Sequence, residues 1–219
     1  TQHANKKQTP LWPLAKIRAN KTPIDWSAYQ PKVPRALGRR VFKNFDLAEL
    51  VPFIDWGPFF QTWDLAGPYP AILTDEVVGM EATRVFADAQ AMLKKIVEGR
   101  WLSASGVLGL YPANSVGDDI EFYTDETRSE VAMTWYGMRQ QTEKHVIDGI
   151  TRPSRCLSDF VAPKDSGIAD YAGMFAVTAG LGIEKKEKAF MDDLDDYSSI
   201  LFKSLADRLA EAFAECLHL

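Results

Sequence analysis

Residues 106–136 read GVLGLYPANSVGDDIEFYTDETRSEVAMTWY. Gly106–Tyr111 is a short apolar run closed by Pro112. Ile120–Tyr123 and Val131–Tyr136 are β-branched or aromatic. Turn formers separate the three, which predicts short strands. Leu157–Val161 and Tyr171–Thr178, each bounded by Pro or Gly, continue the pattern. Between strands, Asn114–Asp119 and Ala162–Asp170 are expected loops long enough to carry function.

The periodicity changes on both sides of this region. Val78, Ala82, Val85, Ala89, Met92 and Ile96 recur every three or four residues, one face of a helix. Thr74 is the expected N-cap, and Gly99 ends the helix. Leu194, Tyr197, Leu201, Leu205, Leu209, Ala212 and Cys216 repeat the spacing near the C-terminus. Asp192, Asp193, Asp195 and Asp196 stand where the helix dipole favours anions. Asp46 is placed to cap a short helix through Leu50, limited by Pro52. Helices flanking a mainly antiparallel sheet make the expected class α+β.

The net charge of −5 conceals an asymmetry. Residues 1–44 hold ten Lys or Arg and one acid, and the remainder carries a net −14. Prolines and like charges make residues 1–24 an expected basic interdomain linker. Leu11, Trp12, Leu14 and Ile17 within it need a surface to rest on. Residues 25–44 are expected to run over the body, which begins near Phe45. An acidic body argues against broad nucleic-acid binding. No apolar run reaches 18 residues, so no membrane span is expected. Cys156 and Cys216 form no CxxC pair and are expected as free thiols, which with no visible signal peptide makes the protein cytosolic. The first residue is Thr, so the chain is expected to be a piece of a longer one.

Individual residues carry little chemistry on their own. His3, His145 and His218 have no partner at ligand spacing, so no protein-bound metal is expected. Gly106–Gly109 and Gly180–Gly182 complete no phosphate-binding motif and read as turns. No G-x-S-x-G occurs, and Cys156 reads as a buried thiol in a strand-like run. The pairs Asp118-Asp119, Asp192-Asp193 and Asp195-Asp196 read as helix-start or solvated charges. Asp55 differs, because Ile54, Trp56, Phe53, Phe59 and Phe60 surround it. A carboxylate in apolar surroundings must be paired. It is either a salt bridge or helix cap, or the seat of a small cationic ligand against an aromatic wall. Glu211, between Ala210 and Ala212, reads as a surface ion pair on the final helix.

Seven segments in order resemble a known family. They are Phe53-Ile54-Asp55-Trp56-x-Pro58-Phe59-Phe60, Gly106–Asn114 with Asp118-Asp119-Ile120, Arg139–Lys144, Cys156–Pro163, Ser166–Tyr171 with Gly173–Val177, Asp195–Ile200 and Leu205–Glu215. This order resembles the C-terminal activation domain of cobalamin-dependent methionine synthase over about residues 25–219. The resemblance implies a single C-shaped α+β domain with a twisted, mainly antiparallel sheet flanked by helices. It implies binding of S-adenosylmethionine, whose methyl is passed to cobalamin that has been oxidised to the cob(II) state. The electron would come from flavodoxin or a methionine synthase reductase. Cobalamin would be held by a neighbouring domain of the same polypeptide, and zinc by another module. The family's ligand carboxylates fall on Asp55 and Glu211, with Trp56, Phe59 and Phe60 in support. The fragment alone is not expected to be catalytic.

The family's Arg-Pro-Ala-Pro-Gly-Tyr-Pro ligand motif does not occur in these 219 residues. The chain is therefore expected to be the N-terminal portion of the domain and to bind S-adenosylmethionine weakly or not at all by itself. A module that only docks the cobalamin domain or a flavoprotein is the competing reading. An independent hydrolase is a third, and it lacks a nucleophile or metal constellation.

Overall fold

The computed structural model describes residues 10–147 and 149–218. In chain order the elements are α1 (Leu14–Ala19), β1 (Gly38–Phe45), α2 (Leu47–Leu50), α3 (Gly57–Thr62), α4 (Gly79–Glu98), β2 (Ser103–Val116), β3 (Asp119–Tyr123) and β4 (Val131–Trp135). Then follow β5 (Val146–Ile147), β6 (Ile150–Thr151), β7 (Asp170–Leu181), α5 (Ile183–Asp192) and α6 (Asp196–Cys216). The main sheet has the order β1-β2-β3-β4, with β7 also paired to β2. β2 pairs with β3, and β3 with β4, in antiparallel register. The chain is thus α+β. It forms two compact units: one from the segment up to Arg39 with Gly109–Met174, the other from Arg40–Leu108 with Phe175–Leu219.

The second unit holds α2 to α6. Its core joins the Ala82, Val85, Ala89, Met92 and Ile96 face of α4 to the Leu201, Leu205, Leu209 and Ala212 face of α6. These are the stripes the sequence spacing predicts, and burying each large aliphatic side chain contributes about 1.5–3 kcal/mol. Asp46 caps α2 by accepting from the Ala48 N–H at 2.9 Å. The helix ends at Leu50 as expected, and Pro52 sits in the 3-10 turn Val51–Phe53 that follows. Thr74 is not the cap of α4. It closes a 3-10 turn, Ala71–Thr74, and α4 starts at Gly79 after Asp75 accepts from the Val77 and Val78 N–H groups. Gly99 is the C-cap of α4, as expected. Asp195, one of four neighbouring acids, caps α6 through the Ser198 N–H at 2.9 Å. Between β7 and α5, Gly182 turns the chain at φ 94°, where a Cβ is strained.

The first unit contains β3, β4 and the distal part of β2. Here β2 runs through Pro112 and on to Val116, so Asn114–Val116 is strand and the loop shrinks to Gly117-Asp118. Gly117 adopts φ 64°, the geometry a two-residue hairpin requires at its first position. Leu157–Phe160 is a 3-10 turn rather than a strand, with Cys156 buried at its start. The loop from Ala162 to Asp170 is pinned by Asn114, whose Nδ2 donates to the Ala162 and Ile168 carbonyls. The segment before the sheet also departs from expectation. Residues 38–45 form β1, and Leu14–Ala19 form a helix whose Ile17 is fully buried.

Candidate functional site

Asp55 stands between the Val51–Phe53 turn and α3, with Ile54 and Trp56 buried on either side. The chain alternates sides here, so Asp55 itself is exposed. This corrects the expectation of a carboxylate sunk among aromatics. Its Oδ1 accepts from the Gly57 N–H at 2.9 Å, at the start of α3. The aromatic residues serve the core instead of lining a ligand surface. Trp56 meets Phe59 and Phe86 edge-on, with centroids at 5.3 and 4.9 Å, and Phe59 and Phe60 have no exposure. Packing on both flanks therefore holds the Asp55 backbone rigidly while its carboxylate faces water.

Glu211 lies on the exposed side of α6, and no ion pair engages it among the described residues. Both acids belong to the same unit. The Val51–Phe53 turn and α3, which flank Asp55, each pack on α6, the helix that carries Glu211. Such an arrangement presents solvated carboxylates from a fixed frame, which complements a cationic group.

A cleft of about 510 Å³ crosses β1, β2 and β7 in this unit. Val41–Asn44, Ser105–Val107 and Ala176–Thr178 line it, and Lys43 is its only ionisable side chain. Sequence reasoning missed its β1 wall, because Arg39, Arg40 and Lys43 masked the β-forming pair Val41-Phe42.

The acidic pair Asp118-Asp119, read as solvated, belongs to the framework of the first unit. Arg139 donates from Nε to Asp118 at 2.8 Å and from both terminal nitrogens to Asp159 at 2.8 and 2.7 Å. The Arg139 and Asp159 side chains are each 2% exposed. Asp118 also accepts from Arg18 Nε at 2.8 Å, and Asp119 from the Gly137 N–H at 2.9 Å. Burial pushes the Asp118 and Asp159 carboxyls up, but hydrogen bonds from Arg18 and Arg139 to the first, and from Arg139 and the Cys156 N–H to the second, more than offset it. Both stay below the ordinary range. His145 is exposed, and among the described residues no three His, Cys, Asp or Glu side chains converge as metal ligands. No helix of the described residues is long and apolar enough to cross a membrane.

Comparison with known proteins adds the family. A family model described as vitamin B12 dependent methionine synthase, activation domain, matches residues 46–219. The chain is also similar to a solved structure described as the MetH reactivation domain bound to AdoHcy, at 52% identity and a TM-score of 0.84. That match covers 96% of this chain and 63% of the other, so this chain spans less than two thirds of its relative. The family model and this likeness agree, and the chain belongs to the family of vitamin B12-dependent methionine synthase activation domains.

Proposed function

We propose that this chain is the reactivation module of a cobalamin-dependent methionine synthase. In this reading it holds S-adenosylmethionine as methyl donor for cobalamin kept by a neighbouring domain of the same polypeptide. A flavodoxin-type protein or a methionine synthase reductase supplies the electron. Residues 25–219 form the module and 1–24 lead into it, in the cytoplasm. The observation that carries the reading is the likeness, at 52% identity, to a MetH reactivation domain solved with AdoHcy bound.

Asp55 and Glu211 are the proposed ligand carboxylates. S-adenosylmethionine supplies an electrophilic methyl on a sulfonium and also bears an α-ammonium. The sulfonium charge disappears on methyl transfer, so a carboxylate facing it would stabilise the ground state more than the transition state. The α-ammonium keeps its charge throughout. We therefore assign the two acids to the ammonium end, where they bind and orient without slowing transfer. Asp55 suits this role because the Gly57 N–H fixes one of its oxygens and packing of Ile54 and Trp56 fixes its backbone. The ligand's own carboxylate needs a cation that these two residues do not provide, so the 219-residue chain is expected to bind weakly.

The test is a nuclear magnetic resonance titration of the ¹⁵N-labelled chain with S-adenosylmethionine up to about 10 mM, a range that reads binding free energies of only about 3–4 kcal/mol. Shifts are expected at the Gly57 amide and along the α6 turn around Glu211. Asp55→Asn is expected to weaken binding about tenfold, the loss of one charge-assisted hydrogen bond. No shifts at these positions, or an unchanged affinity in the variant, would refute the assignment.

A further inference from the structure

The leader was expected to be a basic linker whose apolar residues need a surface, and Pro10–Ile24 follows a continuous track on the first unit. At its start the Trp12 N–H donates to the Gln141 carbonyl at 2.9 Å, and the Glu143 N–H donates to the Pro10 carbonyl at 2.8 Å. Leu11 and Thr142 thereby form an antiparallel bridge. In the middle, α1 buries Ile17 completely and Arg18 reaches Asp118. Beyond it, Asn20 donates to the Arg152 carbonyl at 2.9 Å and its own carbonyl accepts from the Ser154 N–H at 2.8 Å. The Thr22 N–H ends the track on Asp159 at 3.2 Å. The receiving groups lie in or beside three of the segments that carried the family resemblance, at Asp118, Arg139–Lys144 and Cys156–Pro163. Their chemistry is otherwise unexplained by ligand binding.

The two halves of the ion network are unequal. Arg18 is 61% exposed, Asp118 only 12%, and Arg139 is buried. If the leader leaves, Arg18 passes into water at little cost. Asp118 and Asp159 remain paired with Arg139, so no buried charge is stranded. The side chain that departs with a real penalty is Ile17.

We propose that Pro10–Ile24 is a detachable strap, seated by Ile17 and registered by Arg18, that can leave the first unit without unfolding it. Under the proposed function, an upstream cobalamin domain would pivot before Pro10 while the strap is seated, and from about residue 24 once it is released. The strap therefore switches the reach of the tether between a short and a long state. The inference about the strap itself rests on this chain alone and stands whether or not S-adenosylmethionine binds.

Limited trypsin digestion of the full chain tests it, with cuts at Lys16 and Lys21 as the readout and tryptophan fluorescence reporting the fold. Cleavage in this regime follows the population of the opened segment. Ile17→Ala is expected to raise cleavage at Lys21 about thirtyfold, the effect of a large-to-small change at a buried site. Arg18→Gln is expected to raise it about fivefold or less. In both variants the thermal midpoint of the body should shift by no more than about 2 °C, the effect of about 0.5–1 kcal/mol on a chain this size. A leader that is cut at the same rate in all three proteins overturns the proposal. So does a body midpoint that falls in step with the cleavage rate, which would make the leader part of one cooperative core.

Discussion

Asp159→Asn removes the acceptor at the centre of the buried network. In the native protein Oδ1 accepts from one Arg139 nitrogen, while Oδ2 accepts from the other and from the Cys156 and Thr22 N–H groups. An asparagine offers one oxygen to these donors and turns an NH₂ against the rest. Arg139, still buried, keeps Asp118 and the Ser154 carbonyl, each at 2.8 Å, but loses its bidentate partner. Breaking a buried pair in this way costs about 3–5 kcal/mol. Against a typical total of about 5–15 kcal/mol the first unit would be near its limit. At about 2–4 °C per kcal/mol for a chain of this size, the midpoint should fall by about 6–20 °C. Urea unfolding followed by tryptophan fluorescence measures the loss directly. The pH dependence supplies an independent check of sign. The folded Asp159 carboxyl lies below its unfolded value, so its contribution is complete above about pH 4 and disappears as pH falls through the folded value. The variant should lose this acid-sensitive component and show a flatter stability curve below pH 4. A loss under about 1 kcal/mol near neutrality would show that the network is not a stabilising element, since that is the range of an exposed pair.

Two further outcomes follow from the geometry. A Cβ at Gly137 would run into the Asp118 carbonyl and approach Cys156 Sγ to 2.9 Å, so Gly137→Ala should destabilise by about 1–3 kcal/mol through overpacking, read as a lower urea midpoint; an unchanged midpoint would mean the hairpin yields freely. Burial and the hydrogen bond to Asp88 at 2.7 Å push the Tyr197 hydroxyl up to about 12. It should be the last such tyrosine to ionise in an ultraviolet titration, and Asp88→Asn should bring its transition down toward 10; an unchanged transition would leave burial as the whole cause.

Local regularities were legible wherever one chemical pattern dominated. The stripes of α4 and α6 read correctly because burial on a helix face imposes its period on every turn. The Asp46 cap read correctly because a short acidic side chain answers the bare N–H groups it precedes; four acids were placed at the start of α6, and the structure selects Asp195 among them as the cap. Thr74 was misplaced because Asp75, one residue on, accepts from the Val77 and Val78 N–H groups and holds a turn there, so that α4 begins only at Gly79. Pro112 was read as a stop, yet β2 continues through it. A proline removes one donor, and it ends a strand only where the sheet needs that donor. Leu157–Val161 carried strand composition, but the Asp159 carboxylate pulls the chain into a turn through the Cys156 N–H.

By itself the sequence determined the class of the fold, its two long helices, the hairpin strands and, through the order of seven segments, the family. It also singled out Asp55, though for a reason the structure reverses. Apolar neighbours in sequence do not bury a residue when successive side chains point to opposite sides, and Asp55 faces water while Ile54 and Trp56 face the core. Only the tertiary structure decided which charges matter to the framework. Arg18, Asp118, Arg139 and Asp159 are far apart along the chain, and no spacing rule links them. Their pairing depends on a two-residue hairpin turn, a 3-10 turn and a short leader helix arriving at one place. Whether a carboxylate is solvated or locked is a property of that shared environment, and it is fixed by long-range packing rather than by local sequence.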